Sequence, residues 1–397
     1  MTASATSLGR RRFLRSAVGA SGALALGGVV LPESPLGAQP ASLPGAARGG
    51  TARSLKDFQP FAPSPLTGAK SPLPRRVGFV APTLTEYMSS LSDACRAACK
   101  SRGLEFAYAL SDGDPVKNID QLNQMLQRGV GGLVIPPLDA AAQAEIARRA
   151  IDAGVCVMFL VTPPCSTQTM SYQYLFGAAQ GQAAVSWINQ HVPGKGKVVY
   201  FNRDQFEALQ PRTVAVRKVL AAAGIDLVLN RLDDKATQAE GFRLASLLAQ
   251  SHPEVNVWLG EDDTMLGVDA FLQSRGHDPL KNDIALISVG GTDAAKKIVG
   301  TRGSFLRTVI ASPDALSLYA CGLFCADWLD GKTIPQAIEV GCAPLSSREE
   351  VTAFAAINAD PMAAINRSLA GKYEGLRFWG AIDYETRGNY LHNIIDG

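Results

Sequence analysis

The sequence predicts an α/β protein: two doubly wound parallel-sheet lobes, joined by three crossing strands that act as a hinge. Three observations predict it. The stretch from Val77 to Gly103 reads as strand, tight loop and helix, the first half of a βαβ unit. The same alternation of short apolar run and amphipathic helix then recurs along the chain as far as Asp330. It also falls into two series, before and after the segment around Gly177, which calls for two sheets with crossings near Gly177, Ala311 and Val340. In open sheets of this kind small ligands bind outside the carboxyl ends of the strands, so two such edges facing each other make a cleft.

The chain of 397 residues is long enough for two cores, and 47% hydrophobic content is ordinary for a globular protein. A net charge of +2 with 19% charged residues gives no broad electrostatic case for nucleic acid. The front of the chain reads as targeting rather than fold. Arg10-Arg11-Arg12-Phe13-Leu14-Arg15 precedes a weakly apolar, Gly/Ala-rich run, Ala17–Leu31. That pattern, with Arg10, Arg11, Phe13 and Leu14 as its signature, resembles a twin-arginine export signal, over about residues 1–38. The apolar run is too short and glycine-rich to span a membrane well, and no Cys follows it for lipid attachment. Ala38 and Ala47 are both candidate cleavage positions. From Pro32 to Pro74 there are nine prolines, so residues 39–74 are expected to be a poorly ordered leader.

The folded part then runs in order. Val77–Ala81 is a short β-branched apolar strand, and Leu91, Ala94, Cys95, Ala98 and Cys99 mark the buried stripe of the helix that follows. Leu104–Leu110 is a strand, Asn118–Arg128 a helix with Ile119, Leu122, Met125 and Leu126 on one face. Gly131–Ile135 is a strand, Ala140–Ala153 a helix, and Val155–Val161 a fourth strand. The second series opens with a helix at Gln180–His191 and strand Val198–Phe201. Helix Arg212–Ala223, strand Ile225–Leu229, helix Glu240–Ser251 and strand Val255–Leu259 follow. Helix Asp263–Arg275, strand Ile284–Val289, helix Asp293–Val299, strand Phe305–Ile310 and helix Pro313–Asp330 complete it. The expected lobes are residues 75–178 with 312–345, and 179–311, with an unplaced extension at 346–397.

No catalytic signature competes with a binding role: there is no G-x-S-x-G, H-E-x-x-H, C-x-x-C or P-loop in the sequence. The four histidines are scattered, so neither a metal nor any other cofactor is expected. Of the seven cysteines, Cys95/Cys99 and Cys321/Cys325 are each four apart on helices, a spacing that suits buried small side chains better than disulfides. Pairing among Cys156, Cys165 and Cys342 is left open.

At this point the residues carry a resemblance. Val77-Gly78-Phe79-Val80 with its helix, Gly129 to Pro137, Ala153-Gly154-Val155, Gly194-Lys195-Gly196-Lys197-Val198, Asp262 to Gly267 and Gly291-Thr292 stand in the order and spacing of one family. The chain resembles a type I periplasmic substrate-binding protein of the ribose/galactose/xylose class, over roughly Arg75 to Leu345. The resemblance implies a sugar stacked on aromatic rings in the cleft, with its hydroxyls on Asp, Asn, Arg and Gln. Tyr87 falls at a stacking position, but Met88 replaces its usual neighbour. Val161-Thr162 stand for Asp-Arg, Gly177-Ala178 for Asp-Asn, Gln210 for Arg with Arg212 in a structural place, Glu261 for Asn, Gly290 for Asp and Ala311 or Ser312 for Gln.

The candidate ligand residues are therefore Thr85, Tyr87, Thr162, Asp204, Phe206, Gln210, Glu261 and Thr292. Each has a plainer reading: Tyr87 packed over the first helix, hydroxyls in turns, and helix capping by Asp262 or Asp263. The expected function is an exported, monomeric solute-binding protein that closes on a modified sugar or other small polar molecule and delivers it to the permease of an ABC-type importer. The alternative is a sensory protein that presents the ligand to a membrane receptor. An exported enzyme on the same scaffold is a third class, and a repressor is excluded because the export signal stands where a DNA-binding module would.

Overall fold

The computed structural model describes residues 55–64, 68–160, 164–171, 173–205, 209–225, 227–229, 234–372 and 375–391. The expected export signal with Arg10, Arg11, Phe13 and Leu14, and the candidates Thr162 and Phe206, lie outside the described residues.

The first lobe begins with β1 (Arg76–Ala81), α1 (Glu86–Ser101), β2 (Glu105–Leu110), α2 (Pro115–Gln127), β3 (Gly132–Ile135), α3 (Ala140–Asp152), β4 (Cys156–Leu160) and β5 (Thr167–Ser171). The chain then enters the second lobe with α4 (Gln173–His191), β6 (Val198–Tyr200), α5 (Gln210–Ala222), β7 (Leu227–Leu229), α6 (Gln238–Ser251) and β8 (Val257–Glu261). That lobe continues through α7 (Asp262–Ser274), β9 (Ala285–Gly290), α8 (Asp293–Ile298) and β10 (Leu306–Ala311). Helix α9 (Asp314–Leu329) returns to the first lobe, followed by β11 (Ala337–Val340), β12 (Ala343–Leu345), α10 (Arg348–Ala359), α11 (Pro361–Leu369) and β13 (Leu376–Trp379).

The strands form two sheets, in the orders β13-β11-β5-β4-β3-β1-β2 and β12-β10-β9-β8-β6-β7. All pairs are parallel except β11 with β13 and β10 with β12. Parallel strands are covered by helices on both faces, which is why β1, β3 and β4 read as continuous apolar runs and are buried almost throughout. The lobes cross between the end of β5 and the start of α4, at Ser312-Pro313 and at Gly341-Cys342, as the doubly wound expectation requires.

Four local expectations need correction. Strand β5 was not anticipated, because Thr167, Gln168 and Thr169 are polar; they are buried nonetheless, and the Thr167 hydroxyl donates to the Pro335 carbonyl at 2.6 Å. Helix α4 starts seven residues before the expected Gln180, so Gly177 lies inside a helix rather than in the crossing. There it meets α5 so closely that a Cβ would come 2.1 Å from the Arg212 carbonyl oxygen. The tail, unplaced from sequence, divides between the lobes: Val351 and Phe354 of α10 join the second core, Ala364 and Ile365 of α11 the first. Asp360 between them is a fourth link, its carboxylate accepting from the Ala363 N–H at 3.0 Å.

The leader is the fourth correction. Its described end is packed, with Phe58 and Phe61 buried in the first core. Phe61 N–H donates to the Phe378 carbonyl at 2.8 Å and Gly380 N–H to the Gln59 carbonyl at 2.9 Å, so this segment covers the outer edge of β13. Phe61 also meets Phe324 edge-on at 6.1 Å, and Phe324 meets Phe378 likewise at 5.5 Å. Proline-rich composition hid two aromatic anchors three residues apart.

Candidate functional site at the interlobe cleft

Strand β1 ends at Ala81, and Thr85 opens α1 by accepting the Met88 N–H on its hydroxyl at 3.1 Å. This cap fixes the first turn, in which Met88 turns into the core and Tyr87 outward, 43% exposed. The Tyr87 hydroxyl donates to Asp314 Oδ2 at 3.2 Å. Asp314 is the first residue of α9, directly after a crossing, and Ser312 donates to the same oxygen at 2.5 Å. Glu86 beside Tyr87 makes a direct bond between lobes: Asp293 N–H, at the start of α8, donates to its Oε1 at 3.2 Å.

The second lobe supplies the opposing set. Arg212, in the first turn of α5, is 8% exposed. Its Nε and Nη2 donate to Gln173 Oε1 at 3.0 and 2.5 Å, and its Nη1 to Glu261 Oε1 at 2.5 Å. Gln173 is the first residue of α4, just past a crossing, and Glu261 the last of β8. Burial works against the Arg212 charge, and Glu261, then Tyr200, more than offset it, so the guanidinium is held above its ordinary pKa. Tyr200 beneath is pushed up to about 12, chiefly by burial.

These groups act on one another across the cleft. Although solvent reaches its ring, Tyr87 is crowded by protein. That desolvation, then the charge and hydrogen bond of Asp314, hold its phenol well above the usual value; Glu261 adds to the effect and Arg212 opposes it. The phenol therefore stays neutral, a donor as well as a stacking surface.

Of the sequence candidates, Tyr87 and Glu261 are brought into this set. Thr85 and Thr292 stand at its rim as caps of α1 and α8, Thr292 accepting the Ala295 N–H at 3.3 Å. Asp204 and Gln210 are engaged in a loop fastening: Thr213 donates to Asp204 Oδ1 at 2.5 Å, and exposed Gln210 donates to the Asp204 carbonyl at 3.0 Å. Asp262 is 3% exposed and anchors the neighbouring loop, its Oδ2 accepting the Thr292 N–H at 2.6 Å. That carboxylate explains Gly290: a Cβ there would come 2.8 Å from Asp262 Oδ2, and φ is +145°.

Two cleft residues, Gln173 and Asp314, escaped the sequence reading, and a third, Arg212, was given a structural place there. Each carried a signal. Arg212 is the charge on the buried face of α5, beside Thr213, Ala215, Val216 and Leu220, Asp314 follows Ser-Pro at a helix start, and Gln173 opens α4 at a crossing.

Two parallel sheets meeting at such a cleft define a binding-protein scaffold, and the comparisons agree. The family model described as periplasmic binding protein domain matches residues 77–331, and the chain belongs to that family. Among curated relatives, the D-ribose/D-allose-binding protein of Pseudomonas aeruginosa is 24% identical over 230 residues, 54% of this chain and 72% of the relative. The ribose import binding protein of Escherichia coli is 23% identical over 243 residues, 60% and 80%. The fold is shared with an ABC transporter solute binding protein from Bacillus halodurans with bound myo-inositol, at TM-score 0.62 and 18% identity over 74% of this chain and 99% of the other. It is shared too with the 5-methylthioribose transporter solute binding protein of Thermotoga lettingae, at TM-score 0.61 and 16% identity, covering 76% and 94%. Among the described residues no helix is long and apolar enough to cross a membrane, and no group of three or more His, Cys, Asp or Glu side chains could hold a metal ion.

Proposed function

We propose that this protein is an exported, monomeric solute-binding protein that closes its lobes over a small modified sugar or polyol and delivers it to the permease of an ABC-type importer. The observation that carries the reading is the convergence of Tyr87, Asp314, Arg212, Gln173 and Glu261 from both lobes and two crossings on one cleft. Relatives named for ribose, allose and 5-methylthioribose support the carbohydrate-like class.

The chemistry narrows the class. Three nitrogens of Arg212 are already engaged, by Gln173 and Glu261, and the Tyr87 hydroxyl is engaged by Asp314. Among the described residues, Arg212 stands in this set with the carboxylates Glu86, Glu261 and Asp314. An anionic ligand meets repulsion there, whereas hydroxyl donors find acceptors. Gly290, Ala311 and Val161 offer no polar side-chain contact. A fully hydroxylated aldose would leave hydroxyls unpaired, at roughly 1–3 kcal/mol each. A modified sugar with one apolar edge against Tyr87 fits better.

A thermal-shift panel tests this. Uncharged modified sugars or polyols are expected to stabilise the wild type and not Tyr87→Ala. Strong stabilisation by ribose, galactose or xylose, or by a sugar acid, contradicts the ligand class. Export by the twin-arginine route rests on Arg10-Arg11 before Phe13-Leu14. Changing both arginines to Lys is expected to retain folded protein in the cytoplasm; unimpaired export of that variant removes the assignment.

A further inference from the structure

Six of the seven cysteines lie together, away from the cleft. Cys95 and Cys99 on α1, Cys156 on β4, Cys165 before β5, and Cys321 and Cys325 on α9 are each 0% exposed, all are free thiols, and all belong to the first lobe's single core. The packing leaves them no access. A Cβ on Gly322 of α9 would come 2.7 Å from the Ala98 Cβ of α1 and 2.9 Å from the Cys95 carbonyl oxygen. A Cβ on Gly132 of β3 would come 2.8 Å from Cys325 Sγ. Cys99 lies beside Cys95, and Cys156 beside Cys325. Those neighbours, then burial, raise the Cys95 and Cys325 thiols well above their ordinary pKa, and burial raises Cys321 and Cys165. Neutral thiols without solvent contact neither attack disulfides nor oxidise.

The unfolded chain is the opposite case. Every thiol is then exposed at an ordinary pKa, and Cys95/Cys99 and Cys321/Cys325 are separated by only three residues, so loop closure between partners is easy. The family is periplasmic, and that compartment forms disulfides. We propose that the thiol cluster imposes an order on the life of this protein: the first lobe must close around reduced thiols before the chain meets a disulfide-forming oxidant, after which the cluster is inert. The damaging step is ordinary exchange. A chain thiolate attacks oxidised glutathione, forms a mixed disulfide and releases one glutathione thiolate. A second chain thiolate displaces the other glutathione. Two chain thiols are oxidised, one glutathione disulfide is reduced to two thiols, and the resulting bridge lies in segments that must become α1 or α9.

An order-of-addition experiment on the full chain tests this. The protein is synthesised in a cell-free system with oxidised glutathione present throughout, or added only after folding. Early addition is expected to reduce the yield of protease-resistant protein several-fold, with recovery on adding dithiothreitol; late addition is expected to change nothing. An Ellman titration of the late-addition product should find at most the half-buried Cys342 reactive before denaturant, and at least the six buried thiols after it. Equal yields under early and late addition, or several thiols reacting in the native protein, overturn the proposal. A Cys95→Ala/Cys99→Ala variant should lose part of the sensitivity to early addition while keeping the fold.

Discussion

Arg212 brings a buried guanidinium to the floor of the cleft, and its bonds run to two different parts of the chain: Gln173 just past a crossing and Glu261 at the end of β8. The Arg212 and Glu261 side chains are 10% and 19% exposed, so the ion pair is little screened. Removing one partner strands the other. Arg212→Ala is expected to destabilise the protein by about 3 kcal/mol, because Glu261 is left charged and unpaired. Glu261→Gln keeps an acceptor for Nη1 but removes the countercharge of the guanidinium, and should cost about 2 kcal/mol. Urea unfolding of both variants checks the order; equal small losses would show the pair to be solvated and dispensable. The reverse logic explains Tyr87. Its raised pKa follows from crowding and from Asp314, and keeps it a neutral donor at any working pH.

The packing of α4 on α5 decides where that arginine points. Gly177 touches the Arg212 backbone, and Gly181 lies against Val219, where a Cβ would stand 3.0 Å from the Val219 Cβ. Gly177→Ala must push the helices apart, since the obstructing atoms are backbone. It is expected to destabilise by about 1–3 kcal/mol and to abolish ligand-dependent stabilisation by displacing Arg212. Unchanged stability together with an unchanged ligand response would show that the helices can slide freely. The same glycine shows how far sequence could see. Strands such as β1, β3 and β4 were legible because burial on both faces forces continuous apolar runs. Thr292 was visible as a hydroxyl at a strand end, and both it and Thr85 cap helices. Gly177 was read as a lost ligand contact, because a glycine near an expected crossing looks like a loop when helix contacts are unknown. That shift hid Gln173. Strand β5 and the Phe58–Phe61 anchor were missed for a related reason: their burial comes from distant partners, Pro335, Phe324 and Phe378, which no local period records.

At the scale of the molecule, three crossings and the Asp360 link join the lobes, and the cleft groups sit beside two of those crossings, at Gln173 and Asp314. A ligand that engages Glu261 from one lobe and Tyr87 from the other therefore bears directly on the hinge. The bond from Asp293 N–H to Glu86 spans the lobes at the cleft mouth, but a single exposed bond of 3.2 Å is weak beside a buried ligand. Closure should accordingly depend on occupancy. Small-angle scattering of the full protein, alone and saturated with the most stabilising compound of the panel, measures this directly. The predicted result is a smaller radius of gyration with ligand, and no change for Tyr87→Ala under the same conditions. An identical radius of gyration with and without saturating ligand in the wild type would contradict the account of a cleft that closes on its solute.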